Sequence, residues 1–149
     1  MNVLSLGHLV LNVRDLERAV RFYEGVLGLR LVARAEIRNA AMAFFSISGN
    51  HHDLALREVG RAAPVAPADA PGLAHFALKI GDDLEALRAA RAHLQAHGVA
   101  IDRTVDHKVS QSHYVRDPDG NMVELYVDAD PAIWRTDPAS VAHSVPFDL

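Results

Sequence analysis

The alternation of apolar and polar positions divides the chain into two stretches of the same kind. After Gly7, the run His8-Leu9-Val10-Leu11-Asn12-Val13 is short and β-rich and closes on Arg14-Asp15, which predicts a strand ending where a helix begins. Asp15 suits the N-cap, and Leu16, Ala19, Val20, Tyr23, Val26 and Leu27 recur behind it at helical spacing until Gly28 supplies the stop. Residues 29–37, 41–47 and 52–59 follow as strand-like runs divided by Asn39 and by Gly49-Asn50. The order is βαβββ. Residues 60–72 are Ala/Pro-rich and aperiodic, as an extended connection would be. The pattern then restarts with a strand at 75–80, and Asp82 or Asp83 caps a helix bearing Leu84, Leu87, Ala90 and Leu94 that stops at Gly98. Strands at 99–104, 112–116 and 121–127 complete the second copy, the last two joined by Asp117-Pro118-Asp119-Gly120. His8 precedes Asp15 by 7 positions and His75 precedes Asp82 by 7, so the two copies share phase as well as composition. The expectation is an α+β fold in a single domain: module one about 5–59, a linker about 60–72, module two about 73–127 and a C-terminal arm about 128–149. The arm carries Pro131, Pro138, Pro146 and the only tryptophan, Trp134. It reads as a segment packed on the surface, with a flap over a pocket or a dimer contact as the sharper alternatives.

Composition narrows the function classes. A chain of 149 residues holds one core, and 50% hydrophobic residues with 9 Gly and 7 Pro argue for a globular protein. With 15 Lys+Arg against 19 Asp+Glu the net charge is −4, and without a basic run there is no footprint for nucleic acid. The absence of cysteine excludes disulfides, thiolate metal sites, iron–sulfur clusters and a cysteine nucleophile. The amino terminus lacks a basic n-region, and no apolar run approaches the ~20 residues of a membrane span, so a soluble, cytoplasmic protein is expected, with no membrane partner. Closed symmetric pairs are the commonest assemblies, which makes a homodimer the default.

Strand alternation locates the candidate chemistry. His8, Val10 and Asn12 share one face of the first strand, His75, Ala77 and Lys79 the same face of its twin, and Leu9, Leu11, Val13, Phe76, Leu78 and Ile80 meet the helices. In the last strand Met122, Glu124 and Tyr126 point the same way as the histidines. A carboxylate inside a sheet requires a partner, since burying it alone costs several kcal/mol. A lone strand histidine is ordinarily a core residue, but two at repeat-equivalent positions with one inward glutamate form a 2-His-1-carboxylate set, which leaves open positions on an octahedral metal. Asp117-Pro118-Asp119-Gly120-Asn121 suggests a calcium loop, but Met122 stands where that loop needs glycine, so a hairpin turn is expected. No phosphate loop, G-x-S-x-G elbow or H-E-x-x-H pair is present.

From His8 to about Val127 the chain resembles the vicinal oxygen chelate superfamily, which includes glyoxalase I, fosfomycin-resistance enzymes, bleomycin-binding proteins and extradiol dioxygenases. The likeness is carried by His8-Leu9-Val10-Leu11-Asn12-Val13-Arg14-Asp15-Leu16 with Phe22-Tyr23 and Leu27-Gly28-Leu29, by Ala74-His75-Phe76, and by Asp117-Pro118-Asp119-Gly120-Asn121-Met122-Val123-Glu124-Leu125. It implies two paired βαβββ modules forming an open, cup-shaped mixed sheet around a divalent metal held by His8, His75 and Glu124. Within the superfamily the chain looks most like type I extradiol dioxygenases: His51-His52-Asp53-Leu54-Ala55-Leu56 matches the segment carrying an acid–base histidine, here His52. Val105-Asp106-His107 and Tyr114-Val115-Arg116-Asp117 match the family's histidine and tyrosine, here His107 and Tyr114. One departure is His113, where the family prefers an apolar residue; it bears on the pocket's shape.

The resemblance thus implies an Fe(II)-dependent extradiol dioxygenase acting on a catechol-type aromatic diol and dioxygen, with Mn(II) as a substitute metal. Tyr114 would donate to or accept from the bound phenolate, His52 would take the second phenolic proton, and His107 would support the site from behind. One rival is a glyoxalase-like isomerase or lyase, for which Zn or Ni would serve; another is a drug-binding resistance protein of the bleomycin type. A conflict remains at position 52. Superposing residues 49–54 on 120–125 makes Asp53 the twin of Glu124 and turns His52 toward the helix, whereas a bulge near Gly49 returns His52 to the pocket. The family likeness favours His52.

Overall fold

The computed structural model describes residues 1–67 and 70–149; Ala68 and Asp69, within the expected linker, lie outside the described residues. The chain divides into two compact units, 1–68 and 69–149, each a mixed α+β unit built as βαβββ.

In the first unit, β1 (Leu9–Val13) leads into α1 (Leu16–Val20), followed by β2 (Arg30–Ile37), β3 (Ala40–Ser46) and β4 (Leu54–Glu58) in the sheet order β1-β4-β3-β2. Asp15 caps α1 by accepting from the Arg18 amide at 3.0 Å, and the Glu58 carboxylate accepts from the Leu16 amide at 2.9 Å, so two orphan donors of the first turn are satisfied. The expected single helix widens into a π-helical stretch, Arg21–Val26, where the Leu27 amide donates to the Phe22 carbonyl. This wider turn lets the adjacent Phe22 and Tyr23 both enter the core, Tyr23 beside Phe45 with ring centroids 6.2 Å apart. Arg38 and Asn39, both with positive φ, close β2 onto β3 as a two-residue turn.

The second unit repeats the plan with β5 (Phe76–Gly81), α2 (Leu84–Ala96), β6 (Ile101–Asp106), β7 (Ser110–Arg116) and β8 (Met122–Asp128). Asp83 is the cap, accepting from the Ala86 amide at 2.9 Å, and Gly98 ends the helix at φ 68°. Leu87 and Leu94 bury the apolar stripe of α2 against β5, β7 and β8. Gly81 is needed where it stands, because a side-chain carbon there would collide with Cβ of Ala86 in the first turn of α2.

The C-terminal arm forms α3 (Ala132–Thr136), a 3₁₀ turn (Pro138–Ala142) and β9 (Val145–Pro146). It is neither unstructured nor separate from the sheet: β9 pairs with β6 and extends the order to β5-β8-β7-β6-β9. Among the described residues, no helix is long and apolar enough to cross a membrane.

His113 is placed differently from its expected influence on a pocket. It lies wholly buried on the helix-facing side of β7, donating from Nε2 to the Leu87 carbonyl at 3.2 Å and accepting at Nδ1 from the Thr104 hydroxyl at 2.7 Å. The family's preference for an apolar residue here is met by burial, with two hydrogen bonds satisfying the imidazole. Burial pushes the His113 imidazole below its ordinary range, with Arg91 adding to the effect. The unfolded chain therefore binds a proton on this residue more readily than the folded one. Its stabilising contribution is full above about pH 6.5 and declines as pH falls toward the lowered folded value. His113→Gln, which can make both hydrogen bonds without titrating, is expected to flatten the fall in melting temperature between pH 7 and 5. Melting curves across that range check it; an unchanged slope would exclude His113 as the source.

Candidate functional site

Two parallel strand pairs set the frame. β1 runs beside β4 with Leu9 opposite Leu54 and Val10 opposite Ala55; β5 runs beside β8 with Phe76 opposite Val123 and Ala77 opposite Glu124. His8 and His75 each stand immediately before the first strand of their pair, so the repeat predicted from their spacing is present in the register. Val10, Asn12, Ala77 and Lys79 are exposed while Leu11 and Val13 are buried, as the alternation predicts. The register also corrects the alignment of residues 49–54 with 120–125: the twin of Glu124 is Ala55, not Asp53. The connection between β3 and β4 (47–53) is two residues longer than that between β7 and β8 (117–121), which displaces the comparison by two positions.

In the first unit His8 and His52 meet, their ring centroids 4.4 Å apart, and Phe44 closes on His52 edge-on at 5.3 Å. The Nδ1 atoms of His51 and His52 are 2.7 Å apart, so one of them carries the shared hydrogen. Partial burial, then the neighbouring His8 and His51, hold the His52 imidazole below its usual range and so favour its neutral, basic form. Asp53 is committed elsewhere. Its carboxylate accepts from the amides of Ile47 (2.6 Å) and Ser48 (3.0 Å), the Ser48 hydroxyl (2.7 Å) and the Asn50 side chain (3.0 Å). Those bonds, the Ile47 amide first, hold its carboxyl well below the usual carboxylate range. Asp53 thus anchors the turn, and His52 packs against His8.

The second unit gathers His75, His107, Tyr114 and Glu124. Glu124 is buried at 8% exposure on β8; one carboxylate oxygen, Oε2, lies 3.1 Å from Nε2 of His75, and the other accepts from the Ser112 hydroxyl at 2.6 Å. Tyr114, opposite Glu124 on β7, places its hydroxyl 2.8 Å from Nε2 of His107. The same His107 nitrogen is 3.8 Å from Oε1 of Glu124. Burial, then the Glu124 charge, pushes the Tyr114 phenol up to about 12, so it stays protonated at neutral pH. The Arg103 guanidinium covers the Tyr114 ring at 4.0 Å and His75 meets it edge-on at 5.6 Å. The segment after β7 is the expected hairpin turn, with Asp117 accepting from the amides of Asp119 and Asn121.

Sequence reading omitted Ser112 and Arg103. Alternation was the available signal for Ser112, which shares the face of β7 occupied by Tyr114, whereas Arg103 became visible only with the β6–β7 register. Among the described residues, no three His, Asp or Glu side chains are gathered tightly enough to hold a cation. The donor chemistry of the His75–Glu124 pair nonetheless fits a divalent ion: neighbouring ligands with bonds of about 2.1 Å stand about 3 Å apart, and the observed N···O separation is 3.1 Å. Ser112 fixes the oxygen that faces away from His75, the usual support for a ligating carboxylate.

Comparison with known proteins accords with this geometry. The family model described as Glyoxalase/Bleomycin resistance protein/Dioxygenase superfamily matches residues 5–125. Catechol-2,3-dioxygenase of Bacillus subtilis (strain 168) is 35% identical over 132 residues, covering 89% of this chain and 44% of that protein. Biphenyl-2,3-diol 1,2-dioxygenase 3 of Rhodococcus globerulus is 35% identical over 127 residues, covering 83% of this chain and 63% of that protein. The chain thus spans about half to two thirds of the length of these two relatives. A relative with another printed activity is metallothiol transferase FosB of Lysinibacillus sphaericus (strain C3-41), 31% identical over 85% of this chain and 84% of that protein. In fold, the chain is similar to the glyoxylase/bleomycin resistance protein/dioxygenase domain from Frankia sp. EAN1pec (TM-score 0.74, 22% identity), covering 86% of this chain and 100% of that one.

Removing the Ser112 hydroxyl leaves a buried carboxylate oxygen without its donor. Ser112→Ala is expected to lower unfolding stability by about 1–3 kcal/mol, measured by denaturant titration of the metal-free protein. No loss would mean that solvent replaces the serine at Glu124.

Proposed function

The chain belongs to the glyoxalase/bleomycin resistance protein/dioxygenase superfamily, and from that premise we propose that it is a metal-dependent ring-cleaving (extradiol) dioxygenase acting on a catechol-type aromatic diol. His8, His75 and Glu124 are assigned as the ligands, Fe(II) as the metal with Mn(II) as a substitute, and His52, Tyr114 and His107 as the groups that work on the substrate. The observation that carries the reading is the buried Glu124 carboxylate, shared between Ser112 and His75, with the Tyr114–His107 pair beside it on the same sheet. The names of two relatives at 35% identity, both dioxygenases of aromatic diols, favour this chemistry over the rest of the superfamily.

Three oxygen and nitrogen ligands suit Fe(II) or Mn(II), and an ion so held supplies Lewis acidity to adjacent diol oxygens and a place for dioxygen. His52 is the general base. With the hydrogen shared with His51 on its own Nδ1, His52 has Nε2 free to accept the second phenolic proton and return it later, and its lowered affinity for protons favours the neutral ring. Phe44, against the same ring, limits the water that can reach it. Tyr114 and His107 orient the diol through the phenol oxygen, and Arg103 holds the tyrosine ring in place.

The reading is tested by anaerobic reconstitution with Fe(II) followed by oxygen uptake against a panel of catechols. Uptake with a yellow ring-opened product is expected; metal loading with turnover of a thiol adduct under Ni or Zn, and none of a catechol, would overturn it for the isomerase reading. His8→Ala and Glu124→Ala are expected to lose metal, measured by elemental analysis. His52→Phe should keep metal while kcat falls about 10²- to 10⁴-fold.

A further inference from the structure

The C-terminal arm reaches the candidate site through its main chain. β9 pairs with β6, Val145 opposite Asp106 and Pro146 opposite Val105, and the Phe147 amide donates to the Thr104 carbonyl at 3.1 Å. Arg91 holds the chain terminus by donating to the Leu149 carbonyl. Just before β9, the His143 amide donates back to the Ser140 carbonyl at 3.1 Å, and the His143 carbonyl comes to 3.0 Å from Nδ1 of His107. This contact lies at the end of the strand that the arm covers.

A carbonyl oxygen only accepts, so His107 must carry a hydrogen on Nδ1. In the neutral ring Nε2 is then an acceptor, and the Tyr114 hydroxyl 2.8 Å away is its donor. The hydrogen of Tyr114 is thereby offered to His107 in competition with Glu124, the carboxylate directly opposite it on β8, which also interacts with the phenol. With the other tautomer, His107 would donate from Nε2 to the Tyr114 oxygen, and the tyrosine hydrogen would turn to Glu124 and compete with His75 for the carboxylate.

We infer that the arm is a positioning element of the site: the His143 carbonyl locks His107 in the Nδ1–H tautomer, which commits the Tyr114 hydrogen to His107 and leaves the Tyr114 oxygen as an acceptor for a substrate hydroxyl. This rests on the assignment of Tyr114 and Glu124 to the site. It explains why a chain segment that follows the βαβββ run of the second unit is tied to β6 at the position where His107 follows.

The experiment reads the tautomer directly, on full-length metal-free protein labelled with ¹⁵N-histidine at pH 8, using long-range proton–nitrogen correlations assigned by comparison with His107→Gln. The wild type should show His107 protonated at Nδ1. Deleting residues 143–149 should lower the ratio of Nδ1–H to Nε2–H about tenfold, the worth of one net hydrogen bond. Phe147→Pro, which removes the amide donated to Thr104 and loosens β9, should shift the ratio the same way and serves if the deletion does not fold. His143→Ala keeps the carbonyl and should keep the wild-type tautomer. A wild-type ring protonated at Nε2, or a ratio unchanged when the arm is removed or loosened, overturns the proposal. A shifted ratio in a protein that turns over no catechol would sink the dioxygenase reading and leave the arm's role standing.

Discussion

A carboxylate in the interior of a sheet is the constraint from which the rest of the second unit follows. Left alone there, Glu124 would cost several kcal/mol. Each of its oxygens has a distinct partner: Ser112 on one, His75 on the other. Replacing the hydroxyl and imidazole with apolar groups would be compatible with the fold only if the glutamate were also replaced, since breaking one half of a buried polar set is worse than having none. The geometry therefore ties three residues on three segments into one unit of function: β7 supplies the serine, β8 the glutamate, and the entry to β5 the histidine. A divalent ion would take the place of the hydrogen shared by His75 and Glu124, whose N···O spacing of 3.1 Å is close to that of neighbouring ligands.

The two units share a plan but have diverged in what they bring to it. Each begins its first strand just after a histidine, and each pairs that strand in parallel with its last. At the position where the second unit has Glu124, the first has Ala55, fully buried and chemically silent. The longer turn before β4 carries instead a pair of adjacent histidines, His51 and His52, in a loop that Asp53 ties together through Ile47, Ser48 and Asn50.

Much of this was legible in the chain because local signals agreed with one another. Asp15 and Asp83 cap their helices, Gly28 and Gly98 end them, and the strand alternation around His8 and His75 gave the correct open face. What escaped depended on distances between segments. Asp53 competed with His52 for the inward position because sequence alignment cannot weigh a turn two residues longer, whereas the structure commits its carboxylate to the backbone amides of Ile47 and Ser48. His113 looked like a disturbance of a pocket because its neighbours Leu87 and Thr104 lie far away in the sequence. The π-helical turn reflects the need to bury Phe22 and Tyr23 side by side, which helical periodicity alone does not encode. The two-residue strand β9 is too short for any pattern to announce, and its partner β6 lies about forty positions upstream.

The proposed function requires His8, His75 and Glu124 to hold one divalent ion. Iron-edge anomalous diffraction from anaerobically loaded crystals tests it most directly. The claim predicts a single strong peak within about 2.1 Å of a nitrogen from each histidine and of Glu124 Oε2. Iron bound to other residues, or a Glu124 that keeps only Ser112 and His75 as partners while iron is absent from His8, would contradict it.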